Sequence, residues 1–182
     1  MSSAALLRVK KNSLIVSGMG EKIERKFLVN LARLPPFKSE HCRQGYLSTD
    51  PGRTVVVRVR SYEGLIIVKG KRDNMTRPEY FYEIPQPEAA QMLDLCQQHI
   101  IEKMRGYIDH GGHRWTVDCF MGQNQGLWLA EIELKDGRDS FAMPPWAGAE
   151  VTHDDRFYNR ALSQNPYQGW RQKAPSFKPQ MP

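Results

Sequence analysis

Several stretches of this chain carry two like charges spaced by two residues: Arg58 and Arg60, Lys69 and Lys71, Lys103 and Arg105, Glu131 and Glu133. In an extended chain successive side chains point to opposite faces, so each pair shares a face. The other faces of these runs are largely Val, Ile, Leu, Tyr and Met. Exposed strands usually scatter their charges among Thr, Ser and Gln. Like-charged pairs inside apolar runs fit instead a common interior, with the apolar faces packed outward. Such an interior must be wet, internally neutralised or filled by ions, because an unpaired buried charge is costly. Clustered Arg and Lys bind phosphate oxygens through charge-assisted hydrogen bonds. Paired carboxylates at the same mouth suit a hard divalent cation, Mg²⁺ or Mn²⁺, that bridges to phosphate. The ligand that fits this chemistry is a chain of phosphates complexed with metal.

The stretch Glu21–Val29 joins this group, with Lys22, Glu24 and Lys26 on one face and Ile23, Arg25 and Phe27 on the other. Taken alone it reads as a solvated edge strand. Further strands are expected over His41–Ser48, Arg53–Ser61, Leu65–Lys71, Arg77–Pro85, Ile100–Ile108, Arg114–Phe120 and Leu127–Leu134. Arg77, Glu79, Phe81 and Glu83 share one face of their run, and Tyr80 and Tyr82 the other. Asp50-Pro51-Gly52 and His110-Gly111-Gly112-His113 supply turns. Helical spacing is clearest over Pro87–His99, and a short helix is expected within Asp154–Leu162. Pro144-Pro145-Trp146 with Gly148 reads as a rigid connector. The expected fold is mainly β with some α, a closed eight-stranded antiparallel barrel with a few flanking helices.

The 182 residues suffice for one domain, read as an extension over 1–20, a barrel domain over 21–167 and a flexible tail over 168–182. No apolar run approaches the roughly 20 residues of a membrane helix. Arg8, Lys10 and Lys11 interrupt the apolar N-terminal stretch, so a cytoplasmic location is the default. Cys42, Cys96 and Cys119 have no zinc-type spacing and read as packed thiols. The net charge of +6 admits nucleic acid, an anionic surface or a small polyanion. His110 and His113 read as solvated turn residues, Trp115, Trp128 and Trp146 as core or barrel caps, and Arg25 and Lys71 as surface charges. Arg156 and Asn159 stay open between a tunnel mouth and a helix cap.

The segments Ile-Glu-Arg-Lys-Phe-Leu-Val (23–29), Arg-Val-Arg (58–60), Val-Lys-Gly (68–70), Thr-Arg-Pro-Glu-Tyr (76–80), Ile-Glu-Lys-Met-Arg (101–105), Val-Asp-Cys-Phe (117–120) and Ala-Glu-Ile-Glu-Leu (130–134) resemble the CYTH family, the triphosphate tunnel metalloenzymes. Pro-Pro-Trp (144–146) and Arg-Phe-Tyr-Asn (156–159) resemble its bacterial branch, and the likeness spans roughly 21–167. It implies an eight-stranded tunnel that binds triphosphate compounds with Mg²⁺ or Mn²⁺. Its members include tripolyphosphatases, thiamine triphosphatases, class IV adenylate cyclases and RNA triphosphatases. Carried over by position, Lys26, Arg58, Arg60, Lys69, Arg77, Lys103 and Arg105 contact phosphates, and Glu24, Glu131 and Glu133 hold metal. Glu79 and Asp118 support the charge network. Lys103 is the candidate general acid at the leaving phosphate, or else it positions the attacking water.

The chain departs from the family's Glu-x-Glu-x-Lys signature, since Lys22 stands at the first Glu position, and Phe81 replaces a frequent Glu. A lysine about 4 Å from a divalent cation repels it by several kcal/mol at a surface-type dielectric. Lys22 weakens metal binding by that argument, while adding a donor for phosphate. Three readings follow: a metal-dependent phosphohydrolase acting on inorganic triphosphate or a related compound, a binding protein for polyphosphate or nucleotides with weak or no turnover, and a nucleic-acid-binding barrel. The last needs an outward basic stripe, whereas parity turns these charges inward. Cyclase or thiamine triphosphatase chemistry, and a homodimer, are not distinguished by sequence.

Overall fold

The computed structural model describes residues 23–71, 78–134 and 139–175. Among these, nine strands form one antiparallel sheet: β1 (Ile23–Val29), β2 (Ser39–Ser48), β3 (Arg53–Arg60), β4 (Glu63–Gly70), β5 (Glu79–Ile84), β6 (Ile101–His110), β7 (His113–Phe120), β8 (Trp128–Leu134) and β9 (Ala147–Glu150). Their spatial order is β5-β4-β3-β2-β6-β7-β8-β1-β9. Two helices accompany it, α1 (Gln86–Leu93) and α2 (Asn159–Gln164). No helix among the described residues is long and apolar enough to cross a membrane.

The expected eight-stranded barrel is corrected in its strand number. The stretch read as a connector contains a ninth strand, and among the described residues no ladder joins β5 to β9. Trp146 explains the extra strand. Its ring is buried against Trp115, and its carbonyl accepts from Asn30 N at 2.8 Å, which lays the next four residues along β1.

The period-two pattern sorts the strands into two faces. Outside, Ile23, Phe27, Trp115, Val117, Ile132 and Trp146 pack together, and Ala89 and Leu93 of α1 cover Val57. On the opposite face, Leu28, Tyr46, Val56, Ile67, Ile101, Phe120 and Leu129 form a second cluster with Phe157, Leu162 and Trp170 from the C-terminal segment. The inner face is therefore charged along part of its length and closed by an apolar plug along the rest. It is also concave: Arg105 of β6 reaches Glu131 of β8 across β7, and Arg60 of β3 reaches Tyr107 of β6 across β2. Neighbouring strands lie about 4.8 Å apart, so these contacts bridge two strand spacings.

The β6–β7 hairpin turns through Gly111 and Gly112 at φ +58° and +78°, a two-residue turn that glycine adopts without strain. Helix α1 is shorter than its expected span to His99. Its buried positions end at Leu93, and Leu95 already projects into solvent. The helix expected within 154–162 splits. Asp154 caps a 3-10 turn at Asp155–Phe157 by accepting from Arg156 N, and α2 begins only at Asn159. The segment expected to be a tail from 168 carries two 3-10 turns instead. Trp170 packs edge-on against Phe157 and Tyr167, and its Nε1 donates to Asn165 O at 3.0 Å.

Candidate active site

Strand β6 places Lys103 and Arg105 on the inner face, and its register sets Arg105 opposite Asp118 of β7. Arg105 grips Asp118 with both arms, Nε to Oδ1 at 2.7 Å and Nη2 to Oδ2 at 2.6 Å. Lys103 Nζ donates to the same Oδ2 at 2.6 Å, and neither Lys103 nor Asp118 is exposed. Burial opposes the Asp118 charge, but Lys103 and Arg105 outweigh it and hold the carboxyl below its usual range. Burial, helped by the Arg105 charge, pushes the Lys103 ammonium down from the ordinary lysine value. Arg105 is half-buried, which opposes its charge, yet the Asp118 charge more than compensates and keeps its guanidinium firmly protonated.

The β1–β8 ladder pairs Lys26 with Glu131 and Glu24 with Glu133. The buried Lys26 Nζ donates to both Glu24 Oε1 and Glu131 Oε1. Burial opposes its charge, but Glu131 and Glu24 overcome that and raise its proton affinity. Glu131 Oε2 lies 3.5 Å from Arg105 Nη2, which links this pair to the Lys103 group. Among the described residues no three His, Cys, Asp or Glu side chains stand together as a metal cluster. The donors nevertheless fit a hard cation in kind. Glu24 and Glu131 are carboxylates on adjacent strands that already converge on one positive centre, the Lys26 ammonium. Glu133 is more exposed and borders a cavity of about 380 Å³ with Gly112, His113 and Asp139.

Strand β3 contributes Arg58 and Arg60. Arg58 Nε donates to Gln44 Oε1 at 3.2 Å, a neutral partner, and no carboxylate among the described residues pairs with it. Burial, with the Arg105 charge beside it, lowers its proton affinity. A guanidinium remains protonated regardless, so this corner keeps an uncompensated positive charge. Arg60 sits at the rim, bonded to Glu63 at 2.8 Å and to the Tyr107 hydroxyl at 3.0 Å, with Glu40 at 3.3 Å.

Lys69 pairs with Glu79 across β4–β5 at 3.1 Å. The ladder sets Lys69 opposite Thr54 and Arg58 opposite Leu65, so the apolar pair Val56 and Ile67 lies between them. The structure thus brings Lys26, Glu24, Glu131, Lys103, Arg105 and Asp118 into one network with Arg58 beside it, and sets Lys69 with Glu79 farther along. Lys22 and Arg77 lie outside the described residues.

Two contributions escaped the charge pattern. Gln44 is a buried neutral residue that fixes Arg58 and donates to Tyr46 Oη at 3.2 Å. Its parity with Tyr46 and Cys42 on β2 is the only signal the sequence offers. Asn159, left open above, accepts from Lys103 Nζ at 3.4 Å, and the ring of its neighbour Tyr158 lies 5.0 Å from Lys26 Nζ.

No protein-family model matches the chain. The chain is similar to an inorganic triphosphatase of Acetivibrio thermocellus, 42% identical over 156 residues, covering 85% of this chain and 100% of that one. It is also similar to an inorganic triphosphatase of Nitrosomonas europaea, 32% identical over 148 residues, covering 78% of this chain and 96% of that one. A crystal structure of an inorganic triphosphatase superposes with a TM-score of 0.61 at 30% identity, over 78% of this chain and 93% of that one. A protein from Pyrococcus horikoshii shares the fold at 19% identity with a TM-score of 0.50, over 64% of this chain and 80% of that one.

Proposed function

Since the chain belongs to the inorganic triphosphatases of the CYTH-like triphosphate tunnel family, we propose that it hydrolyses inorganic triphosphate on the concave face of its sheet, the two sheet edges completing a tunnel around the phosphate chain. The observation that carries this reading is the cationic group of the buried Lys103 with the half-buried Arg105 and Arg58. Asp118 and Glu131 offset only part of that charge, and among the described residues Arg58 meets an amide and no paired carboxylate. Such a site demands an anion with oxygens in several directions, and a phosphate chain supplies them.

In this reading Lys26, Arg58, Arg60, Lys69, Arg77, Lys103 and Arg105 bind phosphate oxygens, while Glu79 and Asp118 hold the cations in place. Glu24, Glu131 and Glu133 are the residues for Mg²⁺ or Mn²⁺, which when bound would withdraw charge from the phosphates. Water attacks the terminal phosphorus, the P–O bond to the pyrophosphate breaks, and orthophosphate and pyrophosphate result. Lys103 would give its proton to the departing pyrophosphate oxygen, a role that its burial and lowered proton affinity support. With Glu24 and Glu131 engaged by metal, the Lys26 ammonium that they hold here would be free to turn to the substrate.

The test is phosphate release from tripolyphosphate with Mg²⁺, with Mn²⁺ and with EDTA. The expected result is release with metal and none with EDTA. Tight tripolyphosphate binding without release under any condition would favour a binding protein, a reading that Lys22 in the acidic signature keeps alive.

A further inference from the structure

Tyr158 and Asn159 are adjacent in sequence, yet they touch lysines on two strands that are not neighbours. The Tyr158 ring lies 5.0 Å from Lys26 Nζ of β1, and Asn159 Oδ1 lies 3.4 Å from Lys103 Nζ of β6. In the sheet β7 and β8 stand between those strands. The two ammonium groups therefore converge on a single dipeptide supplied from outside the sheet.

That dipeptide is held firmly. The Tyr158 hydroxyl donates to Thr152 O at 2.8 Å, and Thr152 Oγ1 accepts from the backbone N–H of Lys26 at 3.0 Å. Asn159 opens α2, whose Leu162 and Ser163 are buried, and His99 N donates to Ser163 O at 3.1 Å. The contacts to the lysines are of a particular kind. A lysine is a point charge on a flexible stem, and a carboxylate alone draws it into a closed ion pair. Lys26 is already ion-paired with Glu24 and Glu131 and Lys103 with Asp118, and beside those pairs the amide oxygen and the aromatic face attract the ammonium without neutralising its charge.

We propose that Tyr158 and Asn159 are positioning residues for the triphosphatase reaction: Asn159 aims the Lys103 ammonium at the phosphate chain, and Tyr158 keeps an attraction on the Lys26 ammonium as it turns from Glu24 and Glu131 toward that chain. The inference rests on the function proposed above.

The experiment measures steady-state tripolyphosphate hydrolysis with Mg²⁺ and the thermal midpoint for the parent, Asn159→Ala, Asn159→Asp, Tyr158→Phe and Tyr158→Leu. Asn159→Ala is expected to lower kcat about tenfold with KM within about twofold, because Lys103 loses its direction but keeps its charge. Asn159→Asp keeps the shape and adds a carboxylate that competes with phosphate for Lys103, so KM rises about tenfold or more. Tyr158→Phe keeps the ring and the parental KM, whereas Tyr158→Leu raises KM about fivefold. Parental kinetics in both Asn159 variants overturn the assignment. Equal losses in Asn159→Ala and Asn159→Asp that follow their thermal midpoints also overturn it, since they mark a packing role. A parent inert toward tripolyphosphate overturns the triphosphatase reading, and this inference with it.

Discussion

Lys103 Nζ stands 2.6 Å from Asp118 Oδ2, both side chains are fully buried, and Arg105 holds the same carboxylate with two further bonds. One carboxylate thus serves two cations, and the two partners of this contact have different consequences when removed. Lys103→Met leaves Asp118 satisfied by Arg105. The variant should fold with a thermal midpoint near the parent's while kcat falls about 10²–10⁴-fold, as expected for loss of a general acid. Asp118→Asn leaves the buried Lys103 without its ion-pair partner and Arg105 with Glu131 alone, and should destabilise the fold by about 3–5 kcal/mol in denaturant titrations.

Arg58 presents the reverse case, because its half-buried guanidinium has an amide partner and no paired carboxylate among the described residues. Arg58→Met should raise the thermal midpoint by about 2–4 °C for each kcal/mol of relieved charge burial. The same change should raise KM for tripolyphosphate at least about tenfold. Calorimetric scans beside kinetics check both signs, and a fall in both stability and affinity would count against an uncompensated charge.

In the proposed reading Lys22 stands where the family resemblance implies an acid, and it is expected to weaken the hold on metal. Lys22→Glu should lower the Mg²⁺ or Mn²⁺ concentration for half-maximal activity by about tenfold or more. Mn²⁺ titrations followed by electron paramagnetic resonance, without substrate, measure the same change independently of turnover.

The Arg25–Glu150 pair ties β1 to β9 on the outer face and predicts a pH effect. The Arg25 guanidinium, bonded through Nε at 2.8 Å and through Nη2, holds the Glu150 carboxyl below its ordinary value. A depressed carboxyl contributes stability that is complete above its unfolded-state pKa, about 4.3. That stability is lost as pH falls through the lower folded value. The difference in thermal midpoint between the parent and Glu150→Gln should therefore be constant above about pH 5 and shrink toward zero as the pH falls below 4.

Side-chain parity made much of this legible. Lys26, Arg58, Lys103, Arg105, Asp118 and Glu131 share the inner face because the period of two leaves no other arrangement once Phe27, Val57 and Val117 are buried outside. What escaped the pattern was neutral or remote. Gln44 carries no charge to mark it, though it fixes Arg58. Val56 and Ile67 share parity with Arg58 and Lys69, so parity could not tell the plugged part of the face from the wet part. The strand at Ala147–Glu150 is four small or charged residues behind two prolines, and only the burial of Trp146 explains it.

The dipeptide Tyr158-Asn159 also has a consequence for the order in which the protein is made. A chain emerging from the ribosome has produced the nine described strands once Glu150 is clear, and could pair the ladders between them. It would then hold both lysines but neither of these two contacts to them, and the plug would lack Phe157, Leu162 and Trp170. The site is finished by some of the last residues of the fold to be synthesised, so an incomplete chain carries the charges of the site without their aim.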